Sequence, residues 1–200
     1  MLLQLIILIP ILIILIPILI ITNNNKLKQT FNTGSFLKQL DNYEKVLLCG
    51  NSSKFNESFK NVQNPDDAFI IRFNSVLEHL PEDSKTDLLF ISNDVYNTYD
   101  KSKIRKWNKK CKVCLIDDLL REHEDLFVNY PPNLTSGMSV LLFLINYINP
   151  DKIILVGFDM VNNYNESANW YGNTLWTGHD INIENGLLNE ILSKNNITKY

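Results

Sequence analysis

Cysteine is scarce in this chain. Only Cys49, Cys111 and Cys114 occur in 200 residues, and an odd number builds no complete disulfide framework. Cys111-Lys112-Val113-Cys114 has zinc-ligand spacing, but a structural zinc takes four ligands and no second pair exists. The expectation is therefore that Cys114 packs inside a strand and Cys111 lies near its start. Positive charge is not in excess either: 19 Lys and Arg face 22 Asp and Glu, for a formal net charge of -3. That balance argues against a nucleic-acid partner. No Gly-x-Gly-x-x-Gly fingerprint, P-loop or Asp-x-Asp metal pair occurs. No Lys or Arg precedes Lys26, and no Ala-x-Ala site follows the first apolar run, so the start lacks the marks of a cleaved signal peptide.

What the chain does have begins with that run. Leu2 to Ile21 is almost entirely Leu and Ile, interrupted by Gln4, Pro10 and Pro17. About 20 apolar residues cross a bilayer core as a helix, and a membrane helix tolerates proline kinks. Residues 1–22 are accordingly predicted to be a transmembrane anchor of a single-pass protein. Residues 23–42, polar and mixed, read as a stem or linker with one short helix. The folded domain is expected over 43–200, starting near Tyr43. A domain placed after such an anchor points to the lumenal side, whereas Lys26 and Lys28 just past the span point the other way by the positive-inside rule.

Within 43–200, short continuous apolar runs alternate with helical patterns. Strands are predicted at 46–49, 68–73, 87–92, 112–116 and 152–156. Helices are predicted over 95–108, 136–148 and 180–193, with Asp117 and Asp118 capping a short helix between. Apolar strands separated by helices call for an α/β fold: a Rossmann-like, mostly parallel sheet with helices on both faces. Ligands in such sheets sit beyond the carboxyl ends of the strands. Gly50-Asn51-Ser52, Asn74, Asn93 and Gly157-Phe158-Asp159 all fall at those ends.

Several of these residues have chemistry to offer beside a plainer role. Gly50 lets a ligand approach the backbone, Asn51 supplies donor and acceptor, and Ser52 opens the next element; an ordinary strand-to-helix turn has the same composition. Arg72 could hold a phosphate or carboxylate, or pair with Asp66 or Asp67, and Asn74 could reach a base or ribose. Thr135, Ser136 and Gly137 open a helix, where capping and anion binding use the same exposed amides. Tyr164, Trp170 and Tyr171 lie in a polar loop; a tyrosine hydroxyl can support a departing phosphate, or the ring can simply pack. His179, five residues before Glu184, is a candidate general base at a helix start, although a lone histidine there is more often structural; Glu184 could orient or polarise it, or contact something else from within the helix. His79 and His123 are weaker candidates. The basic stretch from Lys101 to Lys112 reads as a solvated face or an attraction to acidic glycans or lipid headgroups.

Taken in order, these signals resemble the sialyltransferases of glycosyltransferase family 29, and nearly as much bacterial family 42. Val46 to Ser52 with Ile71 to Asn74 is similar to the family 29 large motif. Pro132 to Gly137, running through Lys152 to Phe158, is similar to the small motif. Trp170-Tyr171-Gly172 stands where the third motif would fall, and His179 with Glu184 matches the very-small motif. The resemblance implies CMP-sialic acid as donor, a glycan hydroxyl as acceptor, inverting transfer without metal or other cofactor, and a Golgi or ER membrane setting. It implies that Asn51 and Asn74 contact the CMP part and that Thr135, Ser136 and Gly137 line the nucleotide or donor carboxylate; Gly157 and Asp159 join the substrate-binding candidates by their place at a strand end. It makes His179 the base, with Tyr171 and Tyr164 supporting the leaving phosphate. The family's disulfide between large and small motifs has no counterpart, because Cys49 is offset and Pro150 stands at the partner position. The third motif also lacks its histidine. Another nucleotide-sugar donor, or a glycan- or nucleotide-binding protein without catalysis, fits the same residues.

Overall fold

The computed structural model describes residues 31–52, 55–158 and 179–200. The anchor expected over 1–22, Asp159, Tyr164, Trp170 and Tyr171 lie outside them, as do residues 23–30 of the expected linker. Among the described residues no helix is long and apolar enough to cross a membrane.

Six strands form one sheet: β1 Val46–Cys49, β2 Phe69–Phe73, β3 Leu88–Ile91, β4 Lys112–Leu115, β5 Ile153–Val156 and β6 Thr198–Lys199. Their order is β4-β3-β2-β1-β5-β6, and every pairing is parallel. The fold is thus α/β with an all-parallel, Rossmann-like sheet. β1, β2, β3 and β5 are buried along their whole length, which is why they read as unbroken apolar runs rather than alternating ones. β6 is a two-residue edge strand with half-exposed side chains, too short and polar to announce itself in the sequence.

Eight helices surround the sheet in the described residues: α1 Thr33–Leu40, α2 Phe55–Phe59, α3 Asn93–Thr98, α4 Lys101–Lys110, α5 Ile116–Glu122, α6 Glu124–Phe127, α7 Ser136–Tyr147 and α8 Ile181–Lys194. One face of the sheet packs α1, α5, α7 and α8 around Val46, Leu48, Ile71 and Leu155. The opposite face packs α2 on Leu47, Ile70 and Val156, and α4 on Leu89 and Val113. Connections from β1 to β4 run over the α2/α4 face; those from β4 onward run over the other. The winding reverses at β1, so the gap between β1 and β5 is the switch point of the sheet.

Three local expectations are corrected. The helix predicted over 95–108 is two helices, because Tyr99 is extended and the Asp100 side chain caps a new start at Ser102 N. Asp117 and Asp118 do not cap: α5 begins one residue earlier, after Leu115, and both acids stand in its first turn, where the helix dipole favours them. The folded unit also starts earlier than Tyr43. Phe31, Phe36 and Leu40 are buried in the main core, and the Phe31 ring lies 5.4 Å from Phe36, 5.5 Å from Phe90 and 6.1 Å from Phe143. Residues 31–42, expected to be linker, are therefore part of the domain.

The cysteines also fall into place. Cys111 lies in the core beneath α4, while Cys114 lies in the core on the other side of the sheet. They cannot share a metal. Burial pushes their thiols up, to about 12 for Cys111 and about 11 for Cys114, so both stay neutral at pH 7.

Candidate functional site

The switch point is closed by two glycines. The Gly50 N–H donates to the Val156 carbonyl at 2.8 Å. A Cβ on Gly50 would stand 2.3 Å from the Gly157 carbonyl oxygen, a distance no side chain tolerates. Gly157 itself has φ +68°, in the left-handed region where glycine is favoured. The ends of β1 and β5 can approach this closely only as glycine backbone. That requirement accounts for Gly50 and Gly157 without a ligand.

Beyond the glycines, two asparagines stitch the strand ends together. Asn51 Nδ2 donates to the Phe73 carbonyl at 3.4 Å, joining β1 to β2. Asn74 has φ +55°, and its Oδ1 accepts from the Ser92 N–H at 3.0 Å, joining β2 to β3. Ser52 begins the turn into α2, its carbonyl accepting from Phe55 N at 3.1 Å. Arg72, one residue before the β2 tip, is buried at 3 % exposure. It makes no ion pair with Asp66 or Asp67, which precede β2 at its other end.

The start of α7 lies against the same edge. Thr135 is its N-cap, with Oγ1 accepting from Met138 N at 3.3 Å. Ser136 is its first residue. A Cβ on Gly137 would meet the Phe158 ring at 3.1 Å and the Phe73 ring at 3.8 Å. The tips of β2 and β5 therefore press directly on the first turn of α7, and glycine there admits the Phe158 ring.

His179 and Glu184 join this corner from α8. The His179 ring is half-buried. Its Nδ1 lies 2.6 Å from the Asn133 carbonyl oxygen. A carbonyl only accepts, so Nδ1 carries a proton, and in the neutral imidazole the lone pair is on Nε2. Asn133 is itself left-handed, with φ +65°, which sets the carbonyl it offers. Both Glu184 oxygens are taken by Thr135: Oε1 accepts from the backbone N–H at 2.5 Å and Oε2 from Oγ1–H at 2.9 Å. This corrects the role expected for Glu184. The hydrogen bond that orients the imidazole comes from Asn133, and Glu184 braces the helix start on which Asn133 hangs. It also corrects Thr135, whose two donors meet the protein's own carboxylate rather than a ligand. Burial raises the Glu184 carboxyl above its ordinary range, against the lowering effects of the two Thr135 bonds and the charge of His179.

Of the residues expected to form the site, the structure brings Gly50, Asn51, Ser52, Arg72, Asn74, Thr135, Ser136, Gly137, Gly157, His179 and Glu184 to the carboxyl edge of the sheet and the adjoining helix corner. Asp159, Tyr164 and Tyr171 lie outside the described residues. The roles of two contributors escaped the sequence reading. Asn133 orients the histidine; its signal was the Pro131-Pro132-Asn133 turn. Phe158 is the ring that links Gly50 to Gly137. His123 belongs elsewhere: its Nε2 lies 2.6 Å from Thr33 Oγ1 and its Nδ1 3.0 Å from Tyr147 OH, tying α1 to α7. His79 is the C-cap of the turn after β2. Among the described residues no group of three His, Cys, Asp or Glu side chains is placed to hold a metal ion.

No protein-family model matches the chain, and no curated protein matches it either.

Proposed function

We propose that this protein transfers a sugar from a nucleotide-activated donor to a glycan hydroxyl, with CMP-sialic acid as the donor that the motif resemblance favours. The observation that carries the reading is the 2.6 Å bond from His179 Nδ1 to Asn133 O, in a helix corner packed on the strand tips where a Rossmann-like sheet receives its ligand. Nε2 is then the basic nitrogen. It takes the acceptor hydroxyl proton as that oxygen attacks the anomeric carbon and the bond from that carbon to the donor phosphate breaks, with inversion. The nucleotide lies across the β1 and β2 tips, where Asn74 Nδ2 and Asn51 meet the cytidine. Ser136 and Gly137 face it from the start of α7. Tyr171 and Tyr164 serve the departing phosphate, and no metal takes part. The apolar run over 1–22 anchors the domain to a Golgi or ER membrane on the lumenal side.

Purified protein should release CMP from CMP-sialic acid and transfer the sugar to glycan acceptors. His179→Ala should retain CMP affinity and lose about 100-fold or more in turnover, the range of general-base deletions. Asn51→Ala should weaken CMP binding. Wild-type turnover in both variants ends the site assignment. Stronger stabilisation by UDP or GDP than by CMP moves the donor to another nucleotide sugar. Thr135, already committed to Glu184, favours one second reading: a protein that binds a nucleotide or glycan here without turning it over, with CMP stabilisation and no product as its signature.

A further inference from the structure

Among the described residues, Arg72 is a cation without an anion. It stands on β2, on the face of the sheet covered by α2, one residue before the strand tip whose carbonyl receives Asn51. It is 3 % exposed. Nε and Nη1 are both buried, and neither has a hydrogen-bond partner. Its Cζ lies 5.0 Å from the centroid of the Phe55 ring and 5.6 Å from that of Phe59. Those faces attract a cation but accept no strong hydrogen bond. The ionisable neighbour is the Cys49 thiol, pushed up to about 11 by its own burial and so neutral at pH 7. Burial also lowers the guanidinium's pKa from its ordinary value, yet a guanidinium keeps its charge in a protein. A buried, unpaired cation with two idle donors destabilises the empty fold. Asn74 and Asn51, close by in the chain and in the sheet, use their amides to hold strand ends; Arg72 holds nothing.

We propose that Arg72 is the receptor for a phosphoryl oxyanion bound at the β1 and β2 tips, its guanidinium N–H groups donating to the phosphoryl oxygens and the Phe55 and Phe59 rings backing the guanidinium. This rests on the reading that a nucleotide lies across those tips, and assigns its phosphate to the α2 side of the sheet. Thr135 at the other side is already occupied by Glu184. The charge-assisted fork would supply both orientation and attraction.

The test is thermal unfolding of the full chain in non-ionic detergent, titrated with sodium phosphate against sodium chloride and sodium acetate at matched ionic strength. Wild type should show a saturable rise of about 5 °C in phosphate over chloride once phosphate stands well above its Kd. Acetate should give little. Arg72→Met, which buries the same stem without charge, should melt above wild type in chloride and show no saturable phosphate response. Arg72→Lys keeps a charge and loses the fork, and should bind phosphate about tenfold more weakly. The proposal is overturned by an absent saturable shift in wild type, an equal shift in Arg72→Met, an acetate response equal to phosphate, or wild-type phosphate affinity in Arg72→Lys. The last comparison decides if Arg72→Met does not fold. Donor turnover is measured separately on the wild-type preparation. A phosphate shift without turnover sinks the transferase reading and leaves the anion site; turnover without the shift does the reverse.

Discussion

A backbone carbonyl holds the imidazole of His179, and that carbonyl depends on a left-handed asparagine. Asn133 at φ +65° turns its oxygen onto Nδ1, and asparagine adopts that region more readily than other side chains. Glu184 acts one step away, by holding Thr135. Its carboxyl is raised by burial, so it binds a proton more tightly in the folded chain than in the unfolded one. Stability should therefore fall as pH climbs from the ordinary carboxyl range to the raised native value, then stay level above it. Glu184→Gln should flatten that segment, read from urea melts between about pH 4 and 8. An unchanged slope would show that ionised Glu184 is not the group sensed. The histidine and glutamate were visible in the sequence by spacing alone. That they serve different partners was not, because both partners lie 46 to 49 residues away along the chain.

At the scale of elements, α1 is the clearest case of tertiary contact overriding composition. Residues 23–42 look like a stem because polar side chains dominate them. Yet Asn32 caps α1 through Ser35 N at 2.8 Å, and the two phenylalanines of the segment enter an aromatic cluster with Phe69, Phe90 and Phe143. Two large rings outweigh several exposed polar residues in burial free energy. Phe36→Ala should cost about 3–5 kcal/mol by denaturant unfolding, the usual toll of emptying a buried Phe site. A change below about 0.5 kcal/mol would mean that α1 is a tether, as surface substitutions behave. The split between α3 and α4 has a local cause that the sequence did carry: Asp100 is a strong N-cap two residues before Ser102, which bonds it through both N–H and hydroxyl. The apolar spacing across the break hid it.

For the molecule as a whole, the reversal of winding at β1 decides where a ligand belongs. The described candidate side chains other than His79 and His123 stand at the carboxyl edge or on the corner of α7 and α8 beside it. Hydrogen exchange with and without CMP checks this directly. Slowed exchange should concentrate at 50–52, 73–75 and 135–138. Protection at the amino edge instead, around Lys45, Ala68 or Asp87, would put the nucleotide elsewhere, since those residues immediately precede β1, β2 and β3.

The sequence by itself determined the parallel α/β class, the places of the five longer strands and the ends of α7 and α8. Strands buried on both faces must be apolar throughout, and caps such as Thr135 and Asp180 are local chemistry. Only the tertiary structure decided the strand order, the membership of α1 in the core, the reason for Gly50 and Gly157, the pairing of Glu184 with Thr135 and the isolation of Arg72. Each of these depends on groups far apart in the chain meeting at a few ångströms. Local spacing carries no record of such distances, because packing alone sets them.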